Sequence, residues 1–380
     1  MRARWEAFKG GDVGSLPVIV GVIAITIFFT AVNFSNLIQQ MAGVTVIAIG
    51  VVFVLLIGEI DLSIGYVSGL AGVIVAELQV AGSSHDYPGL IAIAAAIGAG
   101  AAIGALQGSF VALIGVPSFV VTLAGLLIWQ GVILKALGSE GVIGIQDHQV
   151  NDVANYVLTK NTGWIVAIVF TVGYALAAFG TYLSRRRAGL PAGNVIVTTA
   201  RVVFFGGLAF VAVAVCNHYR GVPLVGLIVL FLTVLGAYVA GRTTFGRHVY
   251  AVGGNAEAAR RAGINVKLIR IFVFMISGSM AAMGGIIFAS RLNSVDLTAG
   301  GGTILLDSIS AAVIGGVSLF GGRGRVSGAL FGGLIIGMIA NGIDLVGYTD
   351  AVKFITTGVI LLAAVTLDTV ARRRQAAAGR

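Results

Sequence analysis

The chain has 380 residues, of which 58% are hydrophobic and only 10% are charged, and its formal net charge is +9. Soluble domains carry about 25% charged residues, so this composition excludes an ordinary soluble protein and predicts a polytopic membrane protein. The positive charges lie in short segments between apolar stretches, a pattern that follows membrane topology and argues against a nucleic-acid partner. The 56 glycines fit closely packed membrane helices, because small residues let helix backbones approach.

Apolar stretches long enough to cross a bilayer, which takes about 17 to 25 residues, recur along the whole chain. We therefore expect an all-α integral membrane protein with about 10–12 transmembrane helices, built as a single domain over residues 1–380. The predicted spans are 17–32, 37–57, 64–81, 89–110, 118–137, 163–183, 200–217, 222–240, 268–289, 303–320, 326–345 and 351–370.

The distribution of Lys and Arg predicts how the chain is oriented. If the N-terminus is cytoplasmic and twelve spans alternate, 19 of the 24 Lys and Arg residues fall on the cytoplasmic side. This bias predicts a multi-pass protein with both termini in the cytoplasm. The longest predicted outer loop, residues 138–162, is too short to fold alone and is expected to form a lid or a short helix on the membrane surface.

Residue types that carry catalysis or bind metals form no recognisable site. Cys216 is the only cysteine, which excludes an intrachain disulfide and a cysteine metal site, and the four histidines have no ligand spacing. No P-loop, zinc-hydrolase or nucleophile-elbow motif occurs. We therefore expect no enzyme activity, no metal and no cofactor, and we expect Cys216 to be a small buried residue.

Two carboxylates, Glu59 and Asp61, follow the second predicted span and lie between Gly58 and Gly65. The glycines indicate a break in the helix, and Asp61 or Ser63 is suited to cap the helix that follows. One interpretation is a cap with a carboxylate at the membrane surface. The other, compatible with the first, places these side chains beside a polar permeation path, because carboxylates within a membrane are costly and usually functional.

A second polar segment follows Pro117, which favours a helix start at that point. Phe119, Thr122 and Gln130 lie on the helix that begins there. Ordinary helix packing explains these residues. So does a path for a sugar, whose hydroxyls and apolar ring faces suit neutral polar and aromatic side chains.

A third polar site lies in the eleventh predicted span, which Asn341 and Asp344 are expected to interrupt near its outer end. They form either a C-terminal cap of that helix or part of an outer vestibule. The residues alone do not separate the two interpretations.

A basic, polar segment, residues 242–270, lies between two predicted spans. Asn255 is expected to cap a short helix that has Glu257 in its first turn and Arg260 near its end, and Gly263 to stop that helix. The segment is either a solvated loop that only sets topology or a surface helix that docks into a partner. In the second interpretation the coupling residues are Gly253, Gly254, Asn255, Glu257, Ala258, Arg260 and Gly263.

Three separated motifs resemble those of a known family. They are EIDLSIG from Glu59, VPSFVVTLAG from Val116, and the segment from Phe245 to Asn265. In this order they are similar to the monosaccharide permeases of bacterial ABC importers, and to their ribose and xylose branch in particular. The resemblance covers nearly the whole chain from about residue 35.

The resemblance implies a permease of the bacterial inner membrane with a vitamin-importer-like (type II) ABC fold. Two copies would pair around a central path, with ATP-binding subunits docked below and a periplasmic sugar-binding protein above. Residues 254–263 would be the coupling helix, and ATP-driven closure of the partner would alternate the access of the path. The cargo would be D-xylose or a related monosaccharide. The substrate-pathway residues would be Glu59, Asp61, Ser63, Phe119, Thr122, Gln130 and Asn341.

Two other functions stay open from the sequence. A stand-alone secondary sugar transporter coupled to H⁺ or Na⁺ would use Glu59 and Asp61 as its coupling carboxylates. A channel or scaffold without pumping would explain the hydrophobicity but would leave the docking segment without a role.

Overall fold

The computed structural model describes residues 34–80, 87–138, 140–191 and 194–377. Within these ranges all regular secondary structure is helical apart from two strands of three residues each, so the all-α prediction is confirmed. The first predicted span, 17–32, lies outside the described residues. The helices are α1 (Phe34–Leu56), α2 (Ile64–Glu77), α3 (Gly89–Ser109), α4 (Ser118–Leu137), α5 (His148–Asn155), α6 (Lys160–Arg187), α7 (Val195–Tyr219), α8 (Leu224–Arg242), α9 (Thr244–Gly254), α10 (Ala256–Arg261), α11 (Val266–Leu292), α12 (Ile304–Ile314), α13 (Gly328–Val346) and α14 (Asp350–Ala377), and the strands are β1 (Val142–Gly144) and β2 (Ser294–Asp296).

Eight of the described helices are long and apolar enough to cross a membrane. They are α1, α3 with its π-helical extension to Ile114, α4, α6, α7, α8, α11 and α13. Each of them coincides with a predicted span. Three shorter apolar segments accompany them, namely Ile64–Glu77, Ile304–Ile314 and Ala351–Thr366. The chain is therefore polytopic, as predicted.

Two predicted spans, 64–81 and 303–320, are wrong in their extent. Helix α2 has 14 residues and α12 has 11, and a helix of 11 residues is about 16 Å long, roughly half of a hydrocarbon core of about 30 Å. Helix α12 ends at Ile314 because Gly315 and Gly316 follow, and Gly316 has a φ of 89°, which a right-handed helix does not contain. Hydropathy continues across this turn, so the sequence pattern missed it.

The predicted outer loop, residues 138–162, contains a short helix, as expected. Helix α5 begins where the Asp147 carboxylate accepts hydrogen bonds from the backbone N–H groups of Gln149 and Val150, at 2.7 and 3.2 Å. Strand β1 of the same loop pairs antiparallel with β2, and Val142 lies opposite Asp296. The loop is thus held in place by backbone hydrogen bonds rather than by a core of its own.

The described residues divide into two compact units. The first comprises 34–36 and 157–224, where α6 and α7 pair through the stacked rings of Trp164 and Phe210, whose centroids lie 6.0 Å apart. Gly206 faces Thr171 in this pair, so the two helices approach closely. Cys216 is buried in this unit, as predicted.

The second unit comprises residues 37–156 and 225–377, as far as they are described, and α1, α2, α3 and α11 form its core. Glycines allow backbone contact between α3 and α11. A Cβ atom at Gly104 would overlap the carbonyl oxygen of Phe274, and one at Gly278 would overlap that of Gly100. Small residues therefore set the separation of the two helices.

This contact predicts a position-dependent effect of alanine on α3. Gly104→Ala should lower the stability of the purified protein by about 1–3 kcal/mol, because the added methyl group overpacks a backbone contact. Gly98→Ala on the same helix is the matched control, since nothing lies within 4 Å of its added Cβ. The measurement is the temperature at which half of the protein leaves the monodisperse peak in detergent. Equal midpoints for the two variants would contradict the packing.

Candidate functional site

The break between α1 and α2 holds a buried carboxylate. Residues 57–63 are not helical, and the side chain of Asp61 is only 6% exposed. The predicted break and the helix start at Ile64 are confirmed, although the Ser63 side chain makes no capping hydrogen bond to α2. Asp61 instead accepts a hydrogen bond from the backbone N–H of Ser63 at 3.0 Å, so the carboxylate fixes the turn that precedes the helix.

Hydroxyl groups supply the remaining donors to Asp61. The Ser63 hydroxyl donates to Oδ1 at 2.7 Å, and the Ser277 hydroxyl of α11 donates to Oδ2 at 3.0 Å. Among the described residues no Lys or Arg forms an ion pair with Asp61. A buried charge is tolerated only when hydrogen bonds replace its water, so these donors tie the break to α11.

The cluster extends from Ser63 to Gln107 on α3, whose amide oxygen lies 3.0 Å from the Ser63 hydroxyl. Ser63 has one hydroxyl proton, so while it donates to Asp61 the amide must turn its NH₂ group toward Ser63. The Gln107 amide nitrogen packs against Gly125 of α4 and has no hydrogen-bond partner among the described residues. The buried indole N–H of Trp129, beside the same glycine, has none there either. Turning the amide therefore places its oxygen on the side where that unpaired donor lies.

The start of α4 is joined to the same break through Ile60. The backbone N–H of Ile60 donates to the Ser118 hydroxyl at 3.3 Å, and the Thr122 hydroxyl lies 3.4 Å from the Ile60 carbonyl. Thr122 makes its shorter hydrogen bond, 2.9 Å, to the Ser118 carbonyl within α4. The helix start that Pro117 predicts is confirmed, because α4 begins at Ser118.

The structure brings together three of the seven predicted pathway residues around the break, namely Asp61, Ser63 and Thr122. Glu59 lies in the same break, but its side chain pairs with Arg270. Phe119 is 53% exposed on the surface of α4, and Gln130 is half-buried on the same helix. An apolar cavity of about 190 Å³ reaches Asp61 from the side of α1.

Asn341 lies apart from the cluster around Asp61. Its amide donates to the Gln40 side chain at 2.8 Å, which joins α13 to α1. The prediction that Asn341 and Asp344 interrupt this span, with a cap as one interpretation, is wrong. Helix α13 continues past both residues to Val346, because the Asn341 NH₂ group reaches Gln40 without leaving the helix, and Gly347, whose φ is 75°, then ends it.

An ion pair connects the break to the basic segment. Arg270 lies in the second turn of α11, and its Nη2 atom is 3.1 Å from the Glu59 carboxylate. Both side chains are partly buried. The ion pair thus joins the loop before α2 to α11, the helix with which the basic segment ends.

The basic segment has the structure that its sequence predicts. The Asn255 side chain accepts a hydrogen bond from the Ala258 N–H at 2.9 Å and caps α10. Glu257 pairs with Arg260 and Arg261 on the exposed face of that helix. Gly263 follows the helix with a φ of 83°, the left-handed conformation that ends helices.

Gly253 occupies a junction of three backbones at the end of α9. A Cβ atom there would overlap the Leu56 carbonyl oxygen, and it would lie 2.7 Å from the Gly322 N–H nitrogen. That N–H donates to Leu56 at 2.9 Å. Nearby, Tyr250 donates to the Gly324 carbonyl at 2.8 Å, and burial raises the pKa of its phenol, so it keeps this proton at neutral pH.

Comparison with known proteins identifies the family of this chain. Residues 33–365 match the family described as "Branched-chain amino acid transport system / permease component". The chain belongs to this permease family. It is 35% identical over 379 residues to the xylose transport system permease protein XylH of Escherichia coli K12, covering 97% of this chain and 95% of that protein.

Other relatives of this permease are similar over most of their length. XylH of Haemophilus influenzae is 35% identical over 91% of each chain. The ribose import permease protein RbsC of E. coli K12 is 34% identical, with 90% of this chain and 87% of that protein covered. No solved structure matches this chain. The family and the apolar helices together make it a multi-pass transport protein of the inner membrane.

Three polar residues of this permease site were missed by the sequence interpretation. Gln107 is the one amide side chain in the apolar helix α3, which was a usable signal, because such a group needs a partner inside a membrane. Ser277 carried no signal, since serine is common at helix contacts in membranes. Arg270 was counted only as a topology charge.

The ion pair of the permease can be tested by charge reversal. Glu59→Arg should lower stability on the order of 1–2 kcal/mol, because both side chains are partly exposed and the remaining Arg270 then faces a like charge. Adding Arg270→Glu should restore most of the loss while keeping the net charge unchanged. A double-mutant cycle on thermal midpoints in detergent measures the coupling. Additive losses would show that the two groups do not interact.

Proposed function

We propose that this permease is the membrane-spanning subunit of an ATP-driven importer that carries a monosaccharide, D-xylose or a related sugar, into the cell. The similarity to XylH and RbsC over 90% or more of the chain supports the cargo class. The observation that carries the mechanism is the exposed α10 helix, whose flanking elements contact the break at Asp61 through Gly253 and Arg270.

The partners follow from the same proposal. ATP-binding subunits dock on α10, where Arg260 and Arg261 are exposed, and they carry out the ATP hydrolysis. A periplasmic sugar-binding protein delivers the cargo, and two copies of the permease pair around the path. The chain is then one permease domain of the vitamin-importer-like (type II) fold with both termini in the cytoplasm.

In this mechanism, alternating access begins at the basic segment, residues 242–270. The ATP-binding subunits displace α10, and the motion reaches α1 through the backbone contact of Gly253 with Leu56. The Glu59–Arg270 ion pair carries it to the break before α2. The proposed path residues are Glu59, Asp61, Ser63, Phe119, Thr122, Gln130 and Asn341, and the proposed coupling residues are Gly253, Gly254, Asn255, Glu257, Ala258, Arg260 and Gly263.

A stand-alone, ion-coupled sugar transporter is the second candidate. The observation that favours it is the Asp61 carboxylate, which is buried without an ion-pair partner among the described residues. Carboxylates of this kind carry coupling protons or cations in secondary transporters.

Uptake into proteoliposomes separates the two candidates. The permease reconstituted with its ATP-binding and sugar-binding partners should accumulate labelled xylose only with ATP inside, and an ionophore should have no effect. Accumulation without ATP that an ionophore abolishes would establish the ion-coupled function instead. The permease without its partners is the control, and it should accumulate nothing.

Cross-linking tests where the ATP-binding subunits dock. Ala258→Cys in a Cys216→Ser background should form a cross-link with the ATP-binding subunit, because Ala258 is exposed on α10. Ser184→Cys, exposed near the end of α6, is the matched control and should give none. Failure at Ala258 in a complex that still pumps would place the docking surface elsewhere.

The backbone junction predicts an uncoupled variant. Gly253→Ala should lower ATP-driven uptake about tenfold or more while ATP hydrolysis continues, since overpacking by one methyl group costs about 1–3 kcal/mol. Gly241→Ala is the control, because its added Cβ meets nothing within 4 Å. Uptake and hydrolysis are measured on the same proteoliposomes, and a parallel fall in both would indicate loss of assembly rather than of coupling.

A further inference from the structure

A cavity of about 410 Å³ lies in the second unit, against the middle of α2 at Ser68, Gly69 and Gly72. Helices α2 and α11 form two of its walls, and strand β2 with the loop before α12 closes it. Small-molecule sites occupy about 300–1,000 Å³, so this cavity suits a small ligand rather than an oligomer. The residues that matter for its chemistry are Ser68, Phe288, Ser294, Asp296, Thr298 and Gly301.

The charge of the lining selects the class of ligand. Asp296 is the one ionisable side chain among the lining residues, and none of them carries a positive charge. An anionic ligand would therefore meet a carboxylate with no compensating cation. A neutral ligand that donates hydrogen bonds is favoured, since a charged acceptor forms hydrogen bonds roughly twice as strong as a neutral one.

Asp296 is exposed, and Thr298 of the same loop orients its side chain through one carboxylate oxygen. Its Oδ1 atom accepts hydrogen bonds from the Thr298 backbone N–H and hydroxyl, at 2.8 and 2.7 Å. Its backbone is fixed by strand pairing opposite Val142. Among the described residues Oδ2 has no hydrogen-bond partner. A carboxylate fixed in this way presents one preorganised acceptor to a ligand.

The rest of the wall is apolar and small. Phe288 contributes an aromatic ring, while Gly72, Gly285 and Gly301 contribute backbone without side-chain bulk. An aromatic surface beside a few fixed polar groups is the usual composition of a small-molecule site. A sugar ring has both features that this lining requires, hydroxyl donors along its edge and apolar C–H faces.

We propose that this cavity is a low-affinity site for one neutral monosaccharide, with Asp296 accepting hydrogen bonds from its hydroxyls and Phe288 contacting its apolar face. The proposal rests on the proposed function for the class of sugar. It names residues outside the predicted pathway set, and it places a second sugar-binding position against the middle of α2, the short helix that begins just after the Asp61 cluster.

Protection of an introduced cysteine tests occupancy without any transport step. The full-length chain with Cys216→Ser and Ser294→Cys, in lipid nanodiscs, is labelled with N-ethylmaleimide. D-Xylose should slow labelling in proportion to its occupancy, about tenfold when the sugar is at ten times its Kd. Sucrose at the same concentration should protect less, because the cavity is small, and D-xylose 5-phosphate should protect less because of its charge.

Two controls make the test specific. Asp152→Cys, exposed on α5 and outside the lining, should be labelled at the same rate with or without sugar. In the Ser294→Cys background, Asp296→Asn should raise the xylose concentration for half-protection about tenfold, since a neutral amide oxygen accepts hydrogen bonds more weakly than a carboxylate does. Asp152→Asn in that background should leave it unchanged.

The outcomes distinguish this site from the proposed function. Labelling of Ser294→Cys that no concentration of xylose slows, in a protein whose complex still imports xylose, would overturn the site and leave the importer intact. Equal protection at Asp152→Cys, or protection by the phosphate ester as strong as by xylose, would also overturn it. Protection without ATP-driven uptake would support the site and count against the importer.

Discussion

Burial of the Asp61 carboxylate in a break between two helices constrains the elements around it. A charge removed from water costs several kcal/mol unless donors replace the lost hydration. Those donors are the turn at Ser63 and the Ser277 hydroxyl on α11, so α2 cannot shift against α11 without breaking them. The same cluster reaches α3 through Gln107 and lies beside the start of α4. Within a membrane the polar groups of a helix break must be paired inside the protein, and this hydrogen-bonded cluster does so for Asp61.

The second organising contact is made by backbone alone. At Gly253 the end of α9 touches the carbonyl of Leu56 and the turn at Gly322, close to the ion pair of Glu59 with Arg270. One contact is steric and short-ranged, and the other is electrostatic and longer-ranged. Together they connect the basic segment, which we propose as the coupling segment, to the break at Asp61 from two sides. The two mechanisms differ in their sensitivity to salt, because screening weakens an ion pair but not a steric contact.

Local rules predicted much of the structure, and distant pairings were missed. The eight long spans follow from hydropathy, which depends only on neighbouring residues. Capping by Asn255 and termination at Gly263 also follow from adjacent residues. The Asp61 cluster does not, since Ser277 lies 216 residues from Asp61, and neither does the separate Asn341–Gln40 hydrogen bond, whose residues lie 301 apart. The predicted extent of the span 303–320 was wrong because apolar residues continue past Gly315 and Gly316, whereas these two glycines end the helix.

The junction at Gly253 has a consequence for how such a transporter can diversify. Contact between main chains does not depend on which side chains surround it, provided that the glycine itself is kept. With the docking surface that we propose on α10, its outward face can change its charges and shape to suit a different ATP-binding subunit while the Gly253 contact behind it is kept. A transporter built in this way separates the recognition of its ATP-binding subunit from the transmission of that subunit's movement.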